Sequence, residues 1–460
     1  MEKIEFSADA VRDDFVPRED YFDMEFARHE AENLWPRVWQ IACRLEEIRN
    51  VGDYVTYDIL KDSIIVVRSA AEKVSAFHNS CPHRGTLLTQ GSGNARQFVC
   101  SFHGWRFHLD GRCLKVIDRH DWGACLTDHD TQLAPVSTGI WGGWVWINMD
   151  PDCQPLNQFL EPMASYCRKF EFEKLRLAWY KSTLVEANWK TVIEAFTEFY
   201  HVQTTHAQML PYTDDYSTSR GMGRHGWISY SAGSGLPLGR SPRLPVREEP
   251  DFRNLVLECV EQFKDNLKAL QPERAYRAAQ RLRTEVAPDA SPTEVLTRWG
   301  QFVREAAEET GSGWPEDLTP EYIVASGFDW HVFPNTVFLH TPESVLWYRM
   351  RPNGPDPESS IFDIWSLERF APGTEPKVQR EFYPDWRAVD WPLIYKQDLQ
   401  NIPKIQRGMR SRGFAGARPS PIQERAISNF HRVLRRFMID PHADDGLGPE
   451  PLVRGQPMST

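Results

Sequence analysis

One cysteine–histidine pair, used twice, constrains this chain more than any other feature. NSCPHRGTLL (79–88) and FVCSFHGW (98–105) each place a cysteine a few residues before a histidine. The four candidate ligands are Cys81, His83, Cys100 and His103. Structural zinc sites usually pair like with like, as two cysteines followed by two histidines. One thiolate and one imidazole from each loop instead suit a [2Fe–2S] cluster whose irons take two Cys and two His respectively. A zinc site remains the alternative.

Short strand-like runs separated by Gly, Asp, Asn and Pro surround both loops from about residue 40 to 160, and they predict an all-β domain. Gly85 and Gly104 follow the two histidines. Because glycine lets the backbone approach closely, we expect backbone N–H groups there to reach the sulfurs.

A second stretch, EANWKTVIEAFTEFYHVQTTHAQ (186–208), carries His201 and His206. Two neutral histidines and one carboxylate on one face of Fe(II) leave positions open for O2 and substrate. Five residues apart, the histidines would point about 140° apart on a straight helix. The helix should therefore end or bulge between them if both bind one ion. Glu194 and Glu198 have the spacing to share a helix face with His201.

Both stretches resemble the motifs of Rieske non-haem iron oxygenases, the catalytic large subunits of ring-hydroxylating and demethylating enzymes. The matching residues of the second motif are Asn188, Trp189, Lys190, Glu198, Tyr200, His201 and His206. The resemblance implies iron ligands His201 and His206, with Asp398 of KQDLQNIPKIQRGM as the third. Periodicity alone would not choose Asp398 over Asp385, Asp390 or Glu424. The resemblance also implies catalytic roles for Glu198 and Asn188.

Glu198 departs from the family pattern, in which this acid is most often Asp. In the family the acid accepts hydrogen bonds from the first iron histidine, here His201, and from the second cluster histidine of a neighbouring subunit, here His103. Some demethylating and carnitine-type members resemble this chain in using Glu, which weakens the case for dioxygenase activity.

The predicted fold class is α+β, with an all-β Rieske domain followed by a helix-grip catalytic domain built on an antiparallel sheet. The predicted domains are a helical arm (1–40), the Rieske domain (41–165), the catalytic domain (166–440) and a loose tail (441–460). Helices are predicted over 183–206, 252–284, 292–309 and 389–438.

The resemblance implies a terminal oxygenase that activates O2 at Fe(II), with electrons from the cluster, to hydroxylate an organic substrate, with an aromatic ring as the main hypothesis. The alternatives are O- or N-demethylation, including the quaternary-amine type, and a non-catalytic electron-transfer protein. It further implies an NAD(P)H-dependent reductase, with or without a ferredoxin, and a homotrimer or an α3β3 assembly. No G-x-G-x-x-G fingerprint is present, so the nicotinamide is expected to bind a separate protein.

Composition narrows the function classes. A net charge of −11 and the lack of a long basic run argue against nucleic acid as a partner. There is no stretch of 18 apolar residues and no secretory signal pattern, and eight cysteines are too sparse for a disulfide scaffold. We therefore expect reduced thiols and a cytoplasmic protein. Arg240, Arg243 and Arg247 form either a carboxylate-binding loop or a solvated basic one.

Overall fold

The computed structural model describes residues 6–230, 237–245 and 251–442. The chain forms two compact units, one of residues 29–159 and the other of residues up to Arg28 and from Leu160 onward. The boundaries predicted from the sequence, at residues 40 and 165, stay predictions. Most of the predicted tail, from residue 443, lies outside the described residues.

Fourteen α-helices occur in the described ranges. In chain order they are α1 (Glu19–Phe22), α2 (Met24–Asn33), α3 (Asp128–Thr131), α4 (Leu156–Phe159), α5 (Met163–Cys167), α6 (Trp189–Glu194), α7 (Val202–Thr205), α8 (Phe252–Asn266), α9 (Glu273–Gln280), α10 (Leu282–Glu285), α11 (Pro292–Glu309), α12 (Pro320–Ser326), α13 (Leu393–Met409) and α14 (Arg425–Ile439). None of these helices combines the length and the apolar character needed to cross a membrane.

The same ranges contain twenty β-strands. They are β1 (Val16–Pro17), β2 (Gln40–Arg44), β3 (Asp53–Ile59), β4 (Asp62–Ala70), β5 (Lys73–His78), β6 (Ser92–Asn94), β7 (Phe98–Val99), β8 (Arg106–Phe107), β9 (Cys113–Lys115), β10 (Pro135–Trp141), β11 (Trp144–Asn148), β12 (Arg176–Val185), β13 (Ser217–Met222), β14 (His225–Tyr230), β15 (Asp329–Val332), β16 (Thr336–His340), β17 (Ser344–Pro352), β18 (Ser360–Glu368), β19 (Glu381–Tyr383) and β20 (Gly416–Ala417).

The unit of residues 29–159 is built on a seven-stranded antiparallel sheet, in the order β2-β11-β10-β5-β4-β3-β6, and a small sheet β7-β8-β9. The apolar run Ile64–Val67 of β4 is buried throughout, as expected for a central strand. Cys81 follows the end of β5, and Cys100 follows the end of β7. Each sheet therefore carries one of the two cysteine–histidine loops, and the predicted all-β character is confirmed.

The other unit contains an eight-stranded sheet in the order β13-β14-β15-β16-β17-β18-β12-β19. Every neighbouring pair is antiparallel except β12 with β19. Helix α6 packs against β17 and β18, α13 packs against α6, and α14 packs against β13 and β14. An antiparallel sheet with helices laid on it confirms the predicted α+β class.

Three predicted helices were wrong in extent. The prediction over 183–206 ran through the end of β12, and the chain is helical only in α6 and α7. The prediction over 252–284 is broken before α9, where Lys268 and Leu270 adopt positive φ angles that no α-helix can continue. The prediction over 389–438 is two helices, α13 and α14, separated by the short strand β20.

Candidate functional site

The two cysteine–histidine loops repeat one pattern of backbone hydrogen bonds. The N–H of Cys81 donates to the carbonyl five residues later at 2.9 Å, and that of Cys100 does the same at 2.8 Å. Gly85 and Gly104 each donate back to the cysteine carbonyl, at 2.8 and 2.9 Å. Both glycines have positive φ angles, +79° and +68°, which residues with a Cβ adopt at a cost. Each loop is thus a closed turn that needs its glycine.

Backbone N–H groups reach the sulfurs of both loops, as predicted. They do not come from the glycines, whose own N–H groups bond the cysteine carbonyls. Burial raises the pKa of the Cys81 thiol, although the His83 amide donates to it. Burial also opposes ionisation of Cys100, but the amides of Phe102 and His103 outweigh it and lower the pKa of this thiol. The sulfurs therefore receive backbone donors from the residues between each cysteine and its glycine.

The two histidines of these loops lie together with free ligand atoms. The rings of His83 and His103 are 4.5 Å apart between centroids. The Nδ1 atoms of both rings are buried and make no hydrogen bond within the described residues. The indole of Trp105 stacks on His83 at 5.0 Å with 9° between the planes and so fixes its orientation. Two unpaired buried nitrogens beside two buried thiols call for a ligand.

The spacing of these donors decides between one ion and a cluster. A tetrahedral zinc ion, with bonds of about 2.0–2.3 Å, needs all four ligand atoms within about 4 Å of one another. Among the described residues, Cys81, His83, Cys100 and His103 do not form a group that converges on a single metal ion. The set therefore suits a two-iron cluster better than one zinc ion.

A second set of ligands does converge on one point. One ligand atom from each of His201, His206 and Asp398 lies within 4.8 Å of the other two. The Nε2 atom of His206 is 3.0 Å from an oxygen of Asp398, and that of His201 is 3.7 Å from the same oxygen. The side chains of His206 and Asp398 are almost fully buried, and that of His201 is one quarter exposed. Both rings thus offer Nε2 towards the same carboxylate.

The helix ends between the two histidines, as predicted from their spacing. Helix α7 follows His201 and ends at Thr205, and His206 leaves the helical conformation with φ −120° and ψ 44°. Helix α6 has already ended at Glu194. Asp398 arrives from the middle of α13. The other acids considered as the third ligand lie elsewhere. Asp385 accepts hydrogen bonds from the Arg387 amide and guanidinium. Asp390 is almost fully exposed, and its carboxylate lies 3.9 Å from the Lys396 ammonium group.

Glu424 lies closer to the iron site than these two acids, but it makes a structural hydrogen bond. It accepts a hydrogen bond from the Ser420 amide at 2.7 Å. Burial, reinforced by the negative charge of Glu198, raises its pKa to about 7. The prediction that Glu194 shares a helix face with His201 was wrong. Glu194 instead accepts hydrogen bonds from the Tyr21 hydroxyl at 3.2 Å and from the His431 ring at 2.6 Å.

Glu198 holds His201 with both carboxylate oxygens. One oxygen is 2.5 Å from Nδ1 of the ring, and the other accepts from the backbone N–H of His201 at 3.1 Å. This contact keeps the proton on Nδ1 and leaves Nε2 free to bind a metal. Burial lowers the pKa of the His201 ring, but Glu198 and Asp398 outweigh it and raise that pKa to about 9. The surroundings therefore favour positive charge at this spot.

Gln397 orients His206 as Glu198 orients His201, and the sequence analysis did not identify Gln397. Its side-chain oxygen lies 2.8 Å from Nδ1 of His206. Gln208 donates to the same oxygen at 2.8 Å, which fixes the orientation of the Gln397 amide. The proton again sits on Nδ1, so His206 also presents Nε2. The neighbouring position of Gln397 and Asp398 is the only sequence signal, and it is a weak one.

Asn188 uses its side chain within the fold. Its oxygen caps α6 by accepting the Lys190 amide at 2.9 Å, and its amide donates to the Pro357 carbonyl at 2.8 Å. The buried Gln406 of α13 accepts from the Asn188 backbone at 3.0 Å and from Thr191 at 2.8 Å. These bonds fasten α13, which carries Asp398, to the start of α6, so Asn188 is placed to position the site rather than to touch substrate.

The comparisons with known proteins agree with this geometry. Residues 170–440 match the ring hydroxylating alpha subunit (catalytic domain) family, and residues 38–122 match the Rieske [2Fe-2S] domain. The chain belongs to the ring-hydroxylating alpha-subunit family. The cofactors of such an alpha subunit are a Rieske [2Fe–2S] cluster and a mononuclear iron. Both donor sets described above fit them.

Two curated relatives of this alpha subunit are similar over part of their length. It is 34% identical over 195 residues to the carnitine monooxygenase oxygenase subunit of Escherichia coli (strain K12), covering 42% of this chain and 52% of that one. It is 25% identical over 411 residues to the glycine betaine monooxygenase oxygenase subunit of Chromohalobacter salexigens, covering 88% and 82%. The chain spans about half the length of the first relative.

Solved structures share the fold of this alpha subunit. A quaternary ammonium Rieske monooxygenase in complex with L-carnitine superposes with a TM-score of 0.61 at 19% identity, covering 95% of this chain and 99% of that one. A naphthalene 1,2-dioxygenase mutant bound to phenanthrene gives 0.63 at 18% identity, covering 96% and 97%.

Proposed function

We propose that this protein is the oxygenase subunit of a Rieske monooxygenase that hydroxylates a carbon attached to a quaternary nitrogen. The observation that carries the proposal is the convergence of His201, His206 and Asp398 in a chain that also holds the Rieske ligand set. One oxygen atom of O2 would enter the C–H bond, and the other would leave as water after taking up two electrons and two protons. The hydroxylated carbon then separates from nitrogen as a carbonyl compound, releasing a tertiary amine and a proton.

The side chains of this protein would prepare both sites. Cys81, Cys100, His83 and His103 would hold the cluster, and His201, His206 and Asp398 would hold iron. When bound, the two cofactors supply electrons and activate O2. Glu198 and Gln397 keep both iron-binding rings in the tautomer that exposes Nε2, so no proton has to move within a ring when the metal binds.

The substrate class is proposed from the relatives. Their names specify carnitine and glycine betaine, both of which are quaternary amines. Glu198 supports the same choice, since the acid at this position resembles carnitine-type members. We favour this class over ring hydroxylation, the main hypothesis from the sequence, because the likeness to naphthalene 1,2-dioxygenase extends to the fold alone.

The partners are also proposed. Electrons would come from a separate NAD(P)H-dependent reductase, directly or through a ferredoxin, and the subunits would form a head-to-tail trimer in which His103 of one subunit meets Glu198 of the next. Whether a small subunit joins this ring, and whether the protein works in the cytoplasm, stay predictions.

A panel of substrates tests the function. Purified protein with a Rieske-oxygenase reductase and NADH is offered glycine betaine, L-carnitine, choline and naphthalene, while O2 uptake and products are measured, with ¹⁸O2 as the label. We expect NADH-dependent amine release with one labelled oxygen in the carbonyl product. Labelled naphthalene diol with no amine would refute the substrate class.

Iron content tests the non-catalytic alternative. A cluster plus a mononuclear site requires about three irons per chain, whereas an electron-transfer protein requires about two. We expect about three by mass spectrometry of the protein loaded anaerobically, falling to about two for Asp398→Ala.

A further inference from the structure

Asp329, at the start of β15, is a buried acid that nothing in the described residues pairs. Its exposure is 0%, and neither of its carboxylate oxygens has a hydrogen-bond partner within the described ranges. Burial raises the pKa of Asp329 well above its usual range, and the charge of Glu198 adds to that rise. A buried carboxyl group without a partner is costly, so it calls for a functional reason.

The strand register places Asp329 on the sheet face that meets the iron site. Asp329 pairs with Ile228 on one side and Leu339 on the other. Since side chains alternate along a strand, Tyr230 of β14 shares this face, and so does Tyr348 of β17, which pairs with Val337. Phe196, which follows α6, lies on the same face against the ring of Tyr348 at 4.6 Å.

Electrostatic contacts tie this position to the metal ligands. Burial raises the pKa of Tyr348, and the charges of both Asp398 and Asp329 add to the rise. Burial likewise raises the pKa of Tyr230, with Asp329 and Glu198 among the charges that contribute. Asp329 therefore lies within electrostatic reach of the residues that line the iron site.

Aromatic rings pack around Tyr230, which shares this sheet face with Asp329. Tyr230 packs edge-on against Phe199 at 5.0 Å and against Phe328 at 5.9 Å. The hydroxyl of Tyr230 is itself buried and has no partner in the described part of the chain. Rings attract a cation through their faces, and a carboxylate attracts it through charge. Neither interaction requires the cation to carry an N–H group.

We propose that Asp329 binds the positively charged nitrogen of the substrate, with Tyr230 and Tyr348 as the flanking rings. The proposal rests on the function proposed above and names the residue that recognises the quaternary amine. A trimethylammonium group has no hydrogen to donate, which suits a carboxylate that no donor in the described residues satisfies. A cation bound beside Asp329 would favour the ionised carboxylate, which burial alone disfavours. Asp329 would thereby hold the carbon beside nitrogen against the iron site.

Matched pairs of ligands test this proposal without any mutation. Glycine betaine and 3,3-dimethylbutanoate differ in having nitrogen or carbon at the branched centre, as do choline and 3,3-dimethylbutan-1-ol. Binding to the anaerobic holoenzyme is measured by isothermal titration calorimetry. We expect the ammonium compound of at least one pair to bind about 10- to 100-fold more tightly than its carbon analogue. Equal affinities within both pairs would overturn the proposal.

Variants then separate the contact from the general field of the site. Asp329→Asn keeps the shape and removes the charge, so it should lose that preference and bind the carbon analogue as the parent does. Glu424→Gln also removes a buried acid near Glu198 but leaves Asp329 in place, and it should keep the preference. Cluster absorbance and iron content check that each variant is intact.

The outcomes distinguish this inference from the function on which it rests. If the parent enzyme neither binds nor converts any quaternary amine, the proposed function fails and the inference falls with it. If the parent enzyme converts one while Asp329→Asn binds it equally well, the inference alone is wrong. The wild-type ligand pairs decide the matter even if Asp329→Asn does not fold.

Discussion

Replacing Gln397 by leucine tests whether the orientation of one histidine governs iron binding. The Gln397 side-chain oxygen accepts from Nδ1 of His206 at 2.8 Å, and the His206 ring is almost fully buried. Leucine has a similar size but no acceptor. The variant leaves a buried N–H without a partner and removes the contact that fixes the ring's tautomer and rotation.

Two estimates give the size of the effect. Loss of a hydrogen-bond partner behind a metal-binding histidine typically weakens metal affinity about 10- to 100-fold. That range corresponds to about 1.4–2.7 kcal/mol. Leaving a buried donor unpaired costs about 1–3 kcal/mol, which is the same range reached independently. We therefore expect the dissociation constant for Fe(II) to rise about 10- to 100-fold in Gln397→Leu.

Anaerobic titration of iron-depleted protein with Fe(II), in competition with a coloured chelator, measures this constant. Cluster absorbance serves as the internal control, because the cluster ligands lie in the other unit. Gln203→Leu is the matched control, since Gln203 is a half-buried residue of α7 whose side chain, among the described residues, bonds only the Tyr200 carbonyl at 3.3 Å. Gln397→Glu keeps an acceptor and should bind Fe(II) at least as tightly as the parent. Equal affinity in Gln397→Leu and Gln203→Leu would refute the reasoning.

Three further changes have defined outcomes. Asp398→Ala should abolish turnover and leave the cluster spectrum intact, whereas Asp390→Ala, at an exposed acid, should change neither; retained turnover in Asp398→Ala would move the third ligand elsewhere. The Glu198→Gln variant should still bind both metals, but its turnover should be about 100-fold slower than that of the parent. Re-oxidation of its cluster, measured after reduced protein is mixed with O2 and substrate, should be delayed. Re-oxidation at the parental rate would exclude electron transfer through Glu198. Burial lowers the pKa of His340 to about 3, so between pH 6.5 and 3 the unfolded chain binds a proton that the folded chain does not. The free energy of unfolding should therefore decrease as the pH is lowered through that window, by up to about 1.4 kcal/mol per pH unit. Urea unfolding at pH 7.0 and 5.5 measures this decrease, which should be smaller in His340→Phe than in the parent. An equal decrease in the two proteins would contradict the prediction.

The sequence revealed the two ligand sets because metals require particular atoms at restricted spacings. The Cys81 and Cys100 loops are short and local, so their residue types were sufficient. The spacing of His201 and His206 also predicted the helix end at Thr205, since on a continuous helix the two rings would point too far apart to bind one ion. Asp398 needed the family resemblance, because nothing local marks one exposed-looking acid among several.

The residues that the sequence could not reveal act through distant partners. Gln397 and Gln406 are ordinary amides whose importance appears only when α13 lies beside α6 and the two histidines. In the sequence, Asp329 is an ordinary acid at the start of a strand. Only the strand register shows that its side chain lies on the sheet face shared with Tyr230 and Tyr348. Glu194 had the spacing to join His201, but the end of α6 turns it towards Tyr21 and His431. Tertiary contacts, rather than local pattern, decide all four.

The separation of the iron ligands along the chain has a consequence for biosynthesis. All four candidate cluster ligands lie between Cys81 and His103, whereas the candidate iron ligand Asp398 comes much later in the chain. At about 5–20 residues per second, a ribosome adds the intervening chain in roughly 15–60 s. The cluster ligands are therefore all present on the nascent chain well before the iron ligands are complete. A growing polypeptide ordered in this way would not complete the proposed iron site until Asp398 has been added.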